Sequence, residues 1–363
     1  LKADILAETE EFETALAELE SVVRQMSAIE DKDLRWTVQG EAKKIKGKTH
    51  YYVNEWDQSV EAFKEAETLY NMAKDHKGLA AIYNNLAVLY MFQGDWERSE
   101  QYFLRSLKLE QELFNLNGIS VCYNNLGSLM DDTGDANKAL QYLEQALKLQ
   151  KMLNEPYNIT NIYNNIGVTL MDHNEYDKAE EALTKSLQTA IDFGFFRNIV
   201  ATLNNLGALW FKKGDWNQSI ALYEQAIKKS EENDFIEGLL RSFTNLGEVY
   251  EKQNELNLAF DLCFKGLELL PRAPASTERD GVRLLVREIA ALAVRRLPRL
   301  LRIVQEAGEV RAQTKVAQGD ERALLKAQRL DLVAHDHAER RAEEQQATRE
   351  KRAPESAKQV VEA

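Results

Sequence analysis

Apolar residues in this chain recur at helical spacing, and the helical stripes themselves recur every 40 residues. Tyr123, Leu126, Gly127 and Met130 stand at i, i+3, i+4 and i+7, so they share one face of a helix. A polar turn follows at Gly134-Asp135. Glycine there supplies the left-handed backbone that ends a helix, and the acid caps the next one. A second stripe then runs through Ala139, Leu143, Ala146 and Leu147, with equivalents at Ser99, Phe103, Ser106, Leu107 and at Ser219, Tyr223, Ala226, Ile227. The pattern predicts successive helix pairs and an all-α chain.

The repeat is read most easily from its polar signature. Asn84-Asn85-Leu86-Ala87 returns as Asn124-Asn125-Leu126-Gly127, Asn164-Asn165-Ile166-Gly167, Asn204-Asn205-Leu206-Gly207 and Thr244-Asn245-Leu246-Gly247. A turn follows each copy: Gly94-Asp95-Trp96, Gly134-Asp135-Ala136, Asn174-Glu175-Tyr176, Gly214-Asp215-Trp216 and Asn254-Glu255-Leu256. An earlier, degenerate copy has Gly47 and then Asn54-Glu55-Trp56, which makes six. Small residues such as Gly127, Ala139 and Ala146 let helices approach closely. Tyr83, Tyr90, Trp96 and Phe103 are expected to fill the space between neighbouring hairpins. No single pair buries enough apolar area to fold alone, so stability comes from stacking.

This signature, aromatic-x-x-Leu-Gly as in Tyr123-Asn124-Asn125-Leu126-Gly127 followed by Gly134-Asp135, Ala139 and Ala146, resembles the tetratricopeptide repeat family over residues 44–270. The period departs from the family's common unit of about 34 residues. It is similar to the long-period arrays of kinesin light chains, Pins-type adaptors and Rap-type bacterial peptide receptors. The extra residues are expected in the second helix and in the loop to the next repeat. The resemblance implies a right-handed α-solenoid of stacked helix-turn-helix hairpins whose first helices line a concave groove.

The ends differ from the array. Residues 1–43 carry Phe12, Leu16, Leu19 and Val23 on one helical face and are expected to form a capping helix or half-repeat, with Trp36 and Val38 opening the next helix. Residues 271–363 have no Phe, Tyr, Trp, Asn, Met or Cys and hold 15 Arg against 6 in the preceding 270 residues. This tail is expected to be low-complexity helix or disorder, or a segment foreign to the array. The chain opens on Leu1 rather than Met, and it is expected to be an excerpt of a longer protein.

Charge bears on the class of partner. The net charge is −13, and the tail holds 19 Lys and Arg against 15 Asp and Glu, so residues 1–270 carry the whole acidic excess. Such a body disfavours nucleic acid, which needs a basic surface, and suits a protein or peptide ligand, extended and basic. No run of 18 apolar residues predicts a membrane span. Two cysteines, Cys122 and Cys263, make no disulfide framework, and a cytoplasmic location is expected.

By the family resemblance, the asparagines lie in the groove. Asn85, Asn125, Asn165, Asn205 and Asn245 form one ladder, and Asn84, Asn124, Asn164 and Asn204 a second beside it. An amide offers both a donor and an acceptor, so it can pair with a peptide bond of any sequence. Supporting neighbouring turns is the competing role for the same residues. Further along the first helices, Asp131, Asp132, Asp172, Glu248 and Glu251 would attract a basic ligand, or would simply be solvated. Family members that clamp a terminal carboxylate use Lys or Arg four positions before the ladder, where Ala81, Val121, Asn161, Ala201 and Arg241 stand. Only Arg241 fits.

Catalytic and metal constellations are not evident. His50, His76 and His173 are isolated, His335 and His337 stand in the tail, and neither a phosphate-cradling glycine loop nor a nucleophile elbow occurs. The chain is therefore expected to be a non-enzymatic binding scaffold without cofactors, the interaction or sensory part of a larger regulatory protein. The alternative is a regulatory module of a multidomain signalling enzyme or transcription regulator whose output domain lies elsewhere. A self-associating structural module is a third possibility.

Overall fold

The computed structural model describes residues 30–52 and 55–269, together with Thr14, Ser21 and Arg272. Residues 1–29 of the proposed N-terminal cap and the Arg-rich tail otherwise lie outside the described residues, while residues 30–43 of that cap are described. Among the described residues twelve helices follow one another: α1 (Lys32–Tyr52), α2 (Trp56–Ala73), α3 (His76–Phe92), α4 (Trp96–Glu112), α5 (Leu116–Asp132), α6 (Ala136–Leu153), α7 (Pro156–Asp172), α8 (Tyr176–Phe193), α9 (Phe196–Lys213), α10 (Trp216–Glu232), α11 (Ile236–Lys252) and α12 (Leu256–Leu269). There is no strand among the described residues. Each odd-numbered helix packs on the even-numbered one that follows it, making six hairpins. The helix α1 contains Trp36 and Val38 and runs across position 43/44.

From α2 onward the turns share one backbone geometry. At the turns inside hairpins Gly94, Gly134 and Gly214 take positive φ of 73°, 84° and 85°, and Asn174 and Asn254 take the same role at 61° and 64°. The backbone N–H three residues past the helix then reaches back to its last turn, as in Asp135 N to Met130 O at 2.8 Å and Glu175 N to Leu170 O at 2.8 Å. Turns between hairpins close identically, with Asn115 N on Glu110 O at 3.0 Å and Phe195 N on Ala190 O at 2.9 Å. Asp75, Asp95, Asn115, Asp135 and Asp215 cap the following helices, each accepting from the backbone N–H three residues on.

That uniformity corrects one expectation. The loop to the next repeat is not lengthened. The helices α3 to α11 are all 17 or 18 residues long. Connectors of both kinds are only two or three residues from α2 onward. The long period is therefore shared equally by two helix-turn units of 20 residues.

Packing within a hairpin sets small residues against large ones. A Cβ at Gly127 would stand 2.7 Å from Leu143 Cγ, so the bare backbone is what admits the leucine. Where the second helix carries serine in place of Ala139, the hydroxyl donates to the facing backbone: Ser99 Oγ to Ala87 O at 2.9 Å and Ser219 Oγ to Gly207 O at 2.8 Å. A second hydroxyl ties the same two helices further along, Ser106 to Ala80 O at 2.8 Å and Ser186 to Thr160 O at 2.9 Å, and Ser186 Oγ also lies 3.1 Å from Thr202 Oγ1 on the next hairpin. Phe103 and Tyr90 are buried as expected, and Tyr90 stacks on Tyr102 with ring centroids 5.5 Å apart. Trp96 is not a filler: it opens α4 at the rim and stays 40% exposed.

The helices form two layers. First helices pack on the first helices of adjacent hairpins, α1 on α3 and onward to α9 on α11, while each second helix packs on its own partner and on the next first helix. The layer of first helices is thus the more closely spaced, which makes it the inner wall of an all-α solenoid.

Both cysteines sit inside this core. Burial pushes the Cys122 thiol up to about 11, partly offset by its contact with Ser106 Oγ at 3.3 Å, and pushes Cys263 up to about 12. Thiolate is scarce at pH 8, so neither should react with a thiol-specific disulfide reagent in the folded protein, whereas both should react in denaturant. A stoichiometric spectrophotometric thiol titration would check this.

Candidate binding groove

The paired asparagines lie where neighbouring first helices meet, and they bond to one another. Asn125 Nδ2 donates to Asn84 Oδ1 at 2.8 Å, Asn165 to Asn124 at 3.0 Å, Asn205 to Asn164 at 2.8 Å, and Asn245 to Asn204 at 3.0 Å. The second asparagine of each repeat therefore reaches the first asparagine of the repeat before it. Asn85 makes no such bond, because 41 positions earlier the chain has Lys44. Asn204 is 1% exposed and donates to Val200 O and Ser242 Oγ, both at 2.9 Å, so its capacity is used internally.

The remaining amides are only half-buried. Each of Asn125, Asn165, Asn205 and Asn245 gives one N–H to the ladder, and its Oδ1 accepts nothing among the described residues. None of these oxygens is buried without a partner. They form a row of open acceptors along the inner layer.

A further amide cluster sits nearer the start of the first helices. Gln150 Nε2 donates to Asn117 Oδ1 at 2.8 Å, Asn158 Nδ2 reaches Asn117 Oδ1 and Gln150 Oε1 at 3.3 Å each, and Asn198 donates to Asn161 Oδ1 at 2.5 Å. Of these residues only Asn161 stood out in the sequence. The signal for the rest was present, since Asn117 and Asn158 are 41 residues apart, the offset of the ladder pairs.

The acidic candidates divide by their surroundings. Asp172 is engaged by Lys212 on the next first helix at 2.7 Å. Asp131 and Asp132 have raised pKa values because burial disfavours their charge. Glu248 and Arg241 are exposed and Glu251 is half-buried on α11. No group of three His, Cys, Asp or Glu among the described residues is arranged to hold a metal ion. None of the described helices is long and apolar enough to cross a membrane.

Models described as tetratricopeptide repeat match residues 78–152, 160–191 and 199–232. No curated protein matches the chain. Among solved structures it is similar to BtubC (BKLC) from P. vanneervenii at 20% identity, covering 61% of this chain and 92% of that one with a TM-score of 0.54. It is also similar to a Rap protein complexed with Competence and Sporulation Factor, at 17% identity over 78% of this chain and 80% of that one with a TM-score of 0.56. A third is NprR in complex with its cognate peptide NprX, at 17% identity over 90% and 98% with a TM-score of 0.53. Identities this low speak for the fold alone. Period, hairpin geometry and matched segments agree: residues 78–152, 160–191 and 199–232 are tetratricopeptide repeats.

Proposed function

We propose that the array is a peptide- or protein-binding sensor module that holds an extended segment along its inner layer. The observation that carries this reading is the row of open Oδ1 acceptors on Asn125, Asn165, Asn205 and Asn245, each fixed in place by the hydrogen bond its own N–H makes. Backbone N–H groups of a ligand match them whatever its side chains. Neighbouring helices lie roughly 10 Å apart, which an extended chain covers in about three residues. Four amides therefore suit a segment of about ten residues. NprR, solved with its cognate peptide, lends support at the level of fold.

Blocking the groove tests this. Val121 on α5 is 37% exposed in the row four positions before the ladder, and the two native cysteines are buried. Val121→Cys carrying a bulky maleimide should abolish binding of peptides selected from a random phage-displayed library. The same label on Lys148→Cys, exposed on α6 in the outer layer, should leave binding intact. Equal binding by both labelled proteins, read by fluorescence anisotropy, would place the ligand elsewhere.

A further inference from the structure

One carboxylate of the inner layer has surroundings that folding does not require. Asp131 stands in the last turn of α5. At the same register position α3 carries Met91 and α7 carries Met171, with Tyr51 and Phe211 beyond them. Asp131 thus interrupts an apolar run from Tyr51 to Phe211, which Glu251 ends on α11, and its Oδ1 is buried with no hydrogen-bond partner among the described residues. Burial raises its pKa, the Thr169 hydroxyl partly offsets this, and Asp172 adds to the rise.

Among the described residues no Lys or Arg reaches it; His173, which offsets part of the rise, is the nearest basic group, and its Nδ1 lies 2.9 Å from Thr169 O. Lys212, the nearest base along the row of Asp132 and Asp172, is held by Asp172. The position one step before Asp132 in that row is Phe92, which is 60% exposed and packs beside Tyr51 and Trp56 with ring centroids 5.8 and 6.1 Å away. An acceptor oxygen without a donor, a second carboxylate beside it and an exposed aromatic face one register step away make a set that a cationic side chain would complete.

Resting on the groove reading above, we propose that Asp131 is its specificity-determining residue: with Asp132 and Phe92 it receives a lysine or arginine side chain of the bound segment over α5. Methionine at position 131, as on the flanking helices, would pack without an unpaired charge. The aspartate holds an unpaired oxygen at the expense of the free protein, and its half-buried side chain leaves the carboxylate within reach of a ligand cation.

The test uses the full chain and peptides from the random phage-displayed library, measured by fluorescence anisotropy. Selected peptides should share a Lys or Arg at a common position, and Asp131→Asn should weaken them about tenfold or more. Replacing that peptide cation with Ala should make wild type and Asp131→Asn bind alike, as a double-mutant cycle requires. Affinity should fall as pH falls through the raised titration of Asp131, because protonation removes the charge that the ligand meets. Asp131→Asn should melt at or above the wild-type temperature. A lower melting temperature would mark Asp131 as a structural group and overturn the proposal. Peptides that bind in the groove yet lack a shared cation, or ignore Asp131→Asn, would also overturn it while the groove reading stands. A library that yields no binder would remove both.

Discussion

Gly167→Leu is expected to destabilise the centre of the array by about 3 kcal/mol or more, since overpacking a dense core forces backbone or rotamer strain. A Cβ alone at this position would meet Leu183 Cγ at 2.5 Å and Cδ2 at 2.7 Å, with Ala179 O on the other side at 3.4 Å. Neither neighbour can give way. Leu183 is fully buried in the cluster that joins α7, α8 and α9, and Ala179 O is backbone. Each hairpin is stable only through its neighbours, so damage at α7 should broaden or split the thermal transition rather than merely shift it. Gly134→Asn is the informative contrast. Its φ is +84° and a Cβ would find nothing within 4 Å, and asparagine already occupies the same turn at positions 174 and 254. That variant should melt close to wild type by circular dichroism. Equal losses from the two substitutions would contradict the register that puts Gly167 at the helix contact and Gly134 in the turn.

This contrast shows what could be read from residues alone. Gly127 and Gly167 are followed by turn residues at a constant distance, so the helical phase and the close contact were both legible. The turns between hairpins were not, because Lys74, Phe114, Asn154 and Asp234 take the same left-handed conformation and only asparagine advertises it. Phe114 holds φ +51° while 88% exposed, against ordinary turn chemistry. Loop length was misjudged for that reason. The asparagine rows were legible as rows, but their partners were not. Pairing occurs at an offset of 41, which depends on how adjacent first helices are staggered, and a repeat of 40 does not carry that information. Likewise an acidic stripe seemed continuous through Asp131, Asp132 and Asp172 until Lys212, 40 residues past Asp172, proved to be its counter-ion.

Replacing Asn125, Asn165 and Asn205 together by Ala is expected to eliminate capture of the selected peptides, and also to lower stability by about 3 kcal/mol, taking about 1 kcal/mol for each lost hydrogen bond. The second effect follows from their bonds to Asn84, Asn124 and Asn164, and it means that lost binding alone would not identify a contact residue. The partner variant separates the two effects. Ala at positions 84, 124 and 164 removes the same three bonds and a similar amount of stability. It nevertheless leaves the acceptor oxygens of Asn125, Asn165 and Asn205 on the inner wall, less firmly held. If those oxygens bind the ligand backbone, the second triple variant should retain measurable affinity when melting temperatures and anisotropy titrations are compared side by side, whereas the first should not. Matching losses in both would mean that the amides act only as braces between helices, because both variants lose the same three bonds, the second losing in addition only the long contact of Thr202 with Asn164, and only the second keeps the open acceptors.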